Sequence, residues 1–192
     1  MISRTLFLYR SAGMGDVLWT EPLVREMAKR YRRVVLFTKF KELFNNYPLP
    51  NVVVRDLPSS SQRSWLRFRD RFRRNKLYHK LDGVYEANPK KHMLHAYQEY
   101  FRLPVRDEYP QLYLNDSDLG SLQHRGSQYV VLHLDANTSD NYRKVFGVDW
   151  NEIVRYLRSK GLEVVLTGDR VEPIDGADTF KGSLRELIML IS

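Results

Sequence analysis

Gly13-Met-Gly15-Asp16, directly after a short apolar run, is the first stretch whose residue types could do chemistry. Glycines after a strand let the backbone turn sharply and leave main-chain N–H groups open to a ligand at a helix start. The plainer reading is a strand-to-helix turn capped by Asp16. A dinucleotide site would want a third glycine and an acidic residue at the end of the second strand. Leu18 and Thr38-Lys39 stand there instead, and both count against NAD. No G-K-[ST] follows, so a P-loop is excluded.

The second pattern combines cations with aromatic rings. Arg63, Arg67, Arg69, Arg71, Arg73 and Arg74 crowd residues 59–76, and Trp65, Phe68 and Phe72 fall at i, i+3 and i+7 among them. On a helix over residues 64–75 this makes an aromatic stripe flanked by arginines. Such a stripe suits an anionic lipid surface or a phosphorylated sugar, with an RNA backbone and stacked bases as the alternative. The plainer reading buries the aromatics and solvates the arginines. Asp116-Ser-Asp118 has a spacing that can hold a metal-bound nucleotide, but it sits in a polar connection and reads as a solvated linker. His92 and His95 are three apart with no third ligand nearby, so no metal site is expected.

These residues need elements to hold them. Residues 5–9 are apolar and β-prone, and Leu23, Val24, Met27, Ala28 and Tyr31 recur at helical spacing behind Thr20 and Pro22. Residues 34–37 and 51–54 read as the next strands, giving a β-α-β start to a parallel sheet. Asp82-Gly-Val-Tyr85 reads as a short strand and residues 92–100 as a helix. Residues 115–126 are polar and read as a connection. A second α/β unit follows: a strand at 129–133, then a helix with Trp150, Ile153, Val154 and Leu157 on one face and Gly161 as its stop. A strand at 163–167 and a helix from 183 to 191 complete the pattern. The expected domains are 1–124 and 125–192.

Composition narrows the classes. The 192 residues carry 31 Lys+Arg against 23 Asp+Glu, a net charge of +8, with 43% apolar residues. That is a globular composition, and the positive balance points to an anionic partner. The absence of cysteine removes disulfide scaffolds, thiolate metal sites and thiol nucleophiles. No apolar run approaches the roughly 20 residues of a membrane helix, and the apolar stretch near the N-terminus is too short for a signal sequence.

Ser11-Ala-Gly-Met-Gly-Asp-Val-Leu-Trp-Thr-Glu-Pro-Leu23 resembles the N-terminal signature of the ADP-heptose:lipopolysaccharide heptosyltransferases, glycosyltransferase family 9. The order of later segments is similar too: Asp82-Gly-Val-Tyr85, Pro89, His92, then Tyr129 to Thr138, Lys144, Trp150 to Leu157, and Val164 to Gly168. The resemblance implies a GT-B-like α/β fold, with an N-terminal Rossmann-like acceptor-side domain and a second Rossmann-like domain for the donor. It implies inverting transfer from a nucleotide sugar, ADP-heptose among them, with no metal or other cofactor. Asp16 matches the family's general base, in the loop of Gly13 and Gly15. One carboxylate opposite the leaving group suffices for inversion.

The same resemblance makes Thr138, Ser139 and Lys144 phosphate contacts and Glu172 a ribose contact. It aims the basic segment, with Arg63, Arg67, Arg71 and Arg74, at an anionic glycan or glycolipid acceptor. The expected location is the cytoplasm or the inner face of its membrane, with peripheral contact to anionic lipid and without nucleic acid as partner. Two departures bear on the donor: Leu134-Asp135 replaces the family's Pro-Gly, and Lys144-Val-Phe146-Gly147 replaces its Lys-x-Trp-Pro. The chain stops at Ser192, before the family's Asp-(Thr/Ser)-Gly-x-x-His motif, so a member truncated at the C-terminus with an incomplete second domain is expected. Two alternatives stand beside the transferase: a non-catalytic acceptor-binding module, and a polyanion- or RNA-binding protein.

Overall fold

The computed structural model describes residues 2–72, 76–87, 89–115, 128–134, 147–168 and 172–191. The chain divides into two compact units, Met1–Leu114 and Asn115–Ser192. The boundary expected at 124 lies outside the described residues.

In the first unit, strand β1 (Ile2–Tyr9) is followed by two helices, the short α1 (Met14–Leu18) and α2 (Glu21–Arg30). Then come β2 (Tyr31–Phe37), a 3-10 turn at Lys41–Phe44, β3 (Val52–Arg55), α3 (Ser60–Arg71), β4 (Tyr78–Lys80) and α4 (Met93–Tyr100). The strands form one parallel sheet in the order β3-β2-β1-β4. Side chains alternate across a strand, so β1 and β2 bury both faces. Tyr9, Val35 and Phe37 pack with Leu66 of α3 and Tyr78 of β4 on one side. Leu6, Leu8, Val34 and Leu36 are buried too, and α2 packs against β2 and α4. Parallel strands covered on both faces need such continuous apolar runs.

Two sequence expectations change here. Asp82-Gly-Val-Tyr85 is a run of turns, not a strand; the strand is β4, just before it. Three residues of β4 pair with β1, and they carry His and Lys rather than an apolar alternation, so the strand had little signal. The arginine-rich helix runs from Ser60, not 64. Ser59 and Gln62 form a capping box there: the Ser59 hydroxyl accepts from the Gln62 N–H, and the Gln62 amide oxygen accepts from the Ser59 N–H.

The second unit contains β5 (Tyr129–His133), α5 (Trp150–Ser159), β6 (Glu163–Thr167), β7 (Asp178–Thr179) and α6 (Leu184–Ile191). Its sheet is parallel, in the order β5-β6-β7. Asp149 caps α5 by accepting from the Asn151 and Glu152 N–H groups. Gly161, at φ +78°, ends the turn that follows α5, a conformation that favours glycine. Val154, Val164 and Leu166 form the core, with Leu132, Leu157 and Ile174 against them.

Candidate functional site

The loop from Arg10 to Gly13 leaves β1 at the carboxyl edge of the sheet, where α/β folds bind ligands. The Arg10 N–H donates to the Phe37 carbonyl, so the chain leaves β1 still tied to β2. Asp16 follows in the first turn of α1, whose N-cap position is Gly13. No side chain caps that helix. Asp16 is therefore not the cap that the simpler reading made it. Its partner is Arg10, whose Nη2 lies 3.2 Å from Oδ2.

Arg10 is completely buried and gathers three carboxylates. Besides Asp16, its Nη1 donates to Glu86 Oε1 at 3.0 Å and lies 3.6 Å from Asp82 Oδ1. The same nitrogen reaches the Leu81 carbonyl at 3.3 Å. Burial works against the guanidinium charge, but Tyr97, Glu86 and Asp16 outweigh it, so the pKa rises and Arg10 stays protonated. Burial also acts on Glu86, and hydrogen bonds from nearby backbone N–H groups together with Arg10 overcome it, leaving its pKa lowered. Asp82 is oriented by Ser11, whose N–H and hydroxyl donate to its two oxygens at 2.9 and 2.7 Å.

The floor of this cluster is Tyr97, with the Arg10 guanidinium 6.0 Å from its ring centroid. Burial raises the phenol pKa, so the ring stays neutral. The Tyr97 hydroxyl and the Arg10 Nε are buried without a hydrogen-bond partner among the described residues. Polar groups left so are costly, about 1–3 kcal/mol each. Asp16 and Glu86 both reach solvent, their side chains 38% and 48% exposed, whereas Asp82 is mostly covered.

The glycines act differently from their first expected role. Neither has positive φ, so the turn does not demand them. A Cβ on Gly15 would meet nothing within 4 Å, and one on Gly13 would meet only Asp16 Oδ2, at 3.8 Å. What they leave is bare backbone beside Asp16, which fits close ligand approach better than strain relief.

Segments far apart in sequence thus meet. Ser11 pairs with Asp82, Arg10 with Glu86, and the Trp19 ring packs edge-on against His92 with centroids 4.4 Å apart. His95 pairs with Asp107. Glu21, beside Thr20 in the same sequence motif, is a buried structural carboxylate: it accepts from the Tyr47 hydroxyl at 2.8 Å and the Gln111 N–H at 3.0 Å, and pairs with Arg25. Sequence reasoning missed Arg10, Glu86, Tyr97 and Glu21. Only Arg10 offered a signal, a cation set directly against the end of an apolar strand.

The remaining expected site residues lie on α3, in the second unit or outside the described residues. Arg63, Arg67 and Arg71 lie on α3, while Arg74 lies outside the described residues. Thr138, Ser139 and Lys144 lie outside them as well. Glu172 is exposed, five residues beyond β6. At the carboxyl ends of β5 and β6, His133 Nδ1 and the Thr167 hydroxyl are 3.3 Å apart.

No protein-family model matches the chain, and no curated protein sequence matches it. Solved structures do. The iron-containing dodecameric glycosyltransferase TibC of enterotoxigenic E. coli aligns over 99% of this chain and 51% of its own, at 15% identity and a TM-score of 0.64. The E. coli heptosyltransferase WaaC, solved with ADP, aligns over 98% of this chain and 78% of its own, at 14% identity and a TM-score of 0.56. A family 9 glycosyltransferase of Veillonella parvula aligns over 97% and 73%, at 12% identity and 0.64. The chain spans about half the length of TibC and about three quarters of the other two. At these identities the likeness is one of fold, and the fold is the GT-B-like α/β architecture shared by these glycosyltransferases.

Proposed function

We propose that the protein is a glycosyltransferase of the heptosyltransferase type. It transfers a sugar from a nucleotide donor to an anionic glycan or glycolipid, with inversion and without a metal. The observation that carries this reading is Asp16: an outward carboxylate beside bare glycine backbone, at the carboxyl edge of a parallel sheet, held by a buried arginine. As the acceptor hydroxyl attacks the anomeric carbon, its proton passes to Asp16; the sugar–phosphate bond breaks and its electron pair leaves with the nucleoside diphosphate. Arg10 orients Asp16 and touches no substrate. Thr138, Ser139 and Lys144 are the proposed phosphate contacts and Glu172 the proposed ribose contact. WaaC was solved with ADP and with an ADP-heptose analogue, which supports a donor of that class.

A second reading has its own observation. The fully buried Arg10 needs counter-charge, and Asp16 supplies part of it. Asp16 would then be structural and the chain an acceptor-binding module without turnover. Asp16→Asn separates the two in a transfer assay with a nucleotide heptose and a phosphorylated glycolipid. As base, its loss lowers turnover about 10²–10⁴-fold, while the melting temperature changes little, because Asp82 and Glu86 still face Arg10. Unchanged turnover removes Asp16 from the mechanism. A fall in stability that accounts for the lost activity supports the structural role.

A further inference from the structure

Among the described residues of its unit nothing covers the face of α3 turned away from the sheet, and the chemistry of that face specifies a partner. Leu66 is the buried apolar residue of the helix. At roughly 100° per residue, Phe68 lies almost opposite it, with Trp65 and Phe72 on one flank and Arg67 and Arg71 on the other. Trp65, Phe68 and Phe72 are 57%, 62% and 73% exposed, and Arg67 and Arg71 are exposed with them. The aromatics are therefore not core, which the plainer sequence reading had made them. They are also ordered against one another. The Phe68 and Phe72 rings meet edge to face at 4.8 Å, and the Arg69 guanidinium lies between the Trp65 and Phe7 rings, 4.8 and 4.7 Å from their centroids.

The one carboxylate of α3 is withdrawn from this face. Asp70 accepts from the Leu77 and Tyr78 N–H groups at 3.1 and 2.6 Å, tying the helix to β4. What faces outward is aromatic and cationic, with serines between. Water is a poor solvent for three exposed rings. A headgroup region accepts both halves of the surface: rings at the acyl boundary, guanidinium groups on lipid phosphates.

We infer that α3 is an interfacial anchor, docking the protein on an anionic bilayer with Trp65, Phe68 and Phe72 in the headgroup layer and Arg67 and Arg71 on lipid phosphates. This goes beyond the transferase reading and does not depend on it, because docking needs neither donor nor Asp16.

The test is co-sedimentation of the full chain with vesicles of phosphatidylcholine alone or mixed with phosphatidylglycerol, without nucleotide sugar. Binding is expected to the mixed vesicles and to fall steeply with salt, as the screening length shrinks from about 8 Å at physiological ionic strength to about 3 Å at 1 M. Arg67→Gln and Arg71→Gln should each lower the partition coefficient by about fivefold at most. Phe68→Ser should weaken binding with the circular dichroism spectrum unchanged, and bound Trp65 should shift its fluorescence to the blue, a shift lost in Trp65→Phe. Asp16→Asn should bind vesicles as the parent does, so a failed anchor and a failed catalytic base are told apart. Equal binding to neutral vesicles, indifference to these substitutions, or displacement of vesicles by single-stranded RNA at equal phosphate concentration would overturn the inference; the last outcome would make RNA the partner.

Discussion

Arg10 has more at stake than any carboxylate around it. Asp16, Asp82 or Glu86 can each be lost and leave the guanidinium two others, whereas losing Arg10 leaves three acids facing one another above Tyr97. Breaking a buried ion pair from one side costs about 3–5 kcal/mol. The expected loss for Arg10→Gln is at the lower end, about 3 kcal/mol, because Asp16 and Glu86 keep contact with solvent. Urea denaturation of the two variants checks this: Arg10→Gln should lose far more than Asp16→Asn. Equal losses would mean that Asp16 is the dominant counter-ion. At this scale the sequence displayed Asp16 and concealed its partners. Arg10 follows an apolar strand, where a cation passes for the start of a loop, and Glu86 lies 76 residues away in a run of turns. Only folding brings them within 3–4 Å.

Helix α3 illustrates what spacing can and cannot say about an element. The i, i+3, i+7 aromatics announced a helix with a stripe, and the helix is there. An aromatic stripe normally marks the buried face, and here the buried position went to Leu66 alone. Neither residue type nor period could decide that, since the choice depends on the space left by Phe7, Val35 and Phe37 beneath it. β4 and α4 meet at another point that sequence did not reveal, His79. Its Nε2 lies 3.2 Å from the Lys76 carbonyl and its Nδ1 3.2 Å from the Tyr100 hydroxyl, with the Tyr100 and Phe101 rings packed against it. Burial pushes the His79 pKa below its ordinary value, Lys76 adds to this, and the Lys76 carbonyl and Asp70 oppose it. Above an ordinary histidine pKa near 6.5 the neutral ring fits both folded and unfolded chains, so the contribution is complete. As pH falls through the lowered folded value, the unfolded chain has already taken the proton, and the stability is lost. His79→Gln should therefore flatten the fall of melting temperature between neutral pH and pH 5. An identical pH profile would show that His79 does not contribute.

For the molecule as a whole, the net charge of +8 sets the sign of what it meets. A departing nucleoside diphosphate can be stabilised by cationic side chains and N–H groups as well as by a divalent ion. Among the described residues no three His, Asp or Glu side chains come together as metal ligands. On the proposed reading, in which cationic side chains and N–H groups meet the leaving-group charge, transfer is expected to survive EDTA; a strict need for Mg²⁺ or Mn²⁺ would return attention to Asp116 and Asp118. Much of the architecture was legible in advance. Apolar runs at 5–9, 34–37, 129–133 and 163–167, separated by helical periods, dictate parallel α/β units, because burial of a strand's two faces and a helix's one stripe depends on local order and hydrophobicity. The sequence by itself thus determined the class of fold, the strand-loop-helix setting of Asp16 and the basic character of α3. Only the tertiary structure decided that β4 precedes Asp82, that Gly15 faces open space, that Asp16 answers to Arg10 and that the α3 aromatics point outward. Those outcomes are set by contacts between residues distant in the chain, and a contact of that kind leaves no period, spacing or composition for a sequence to display.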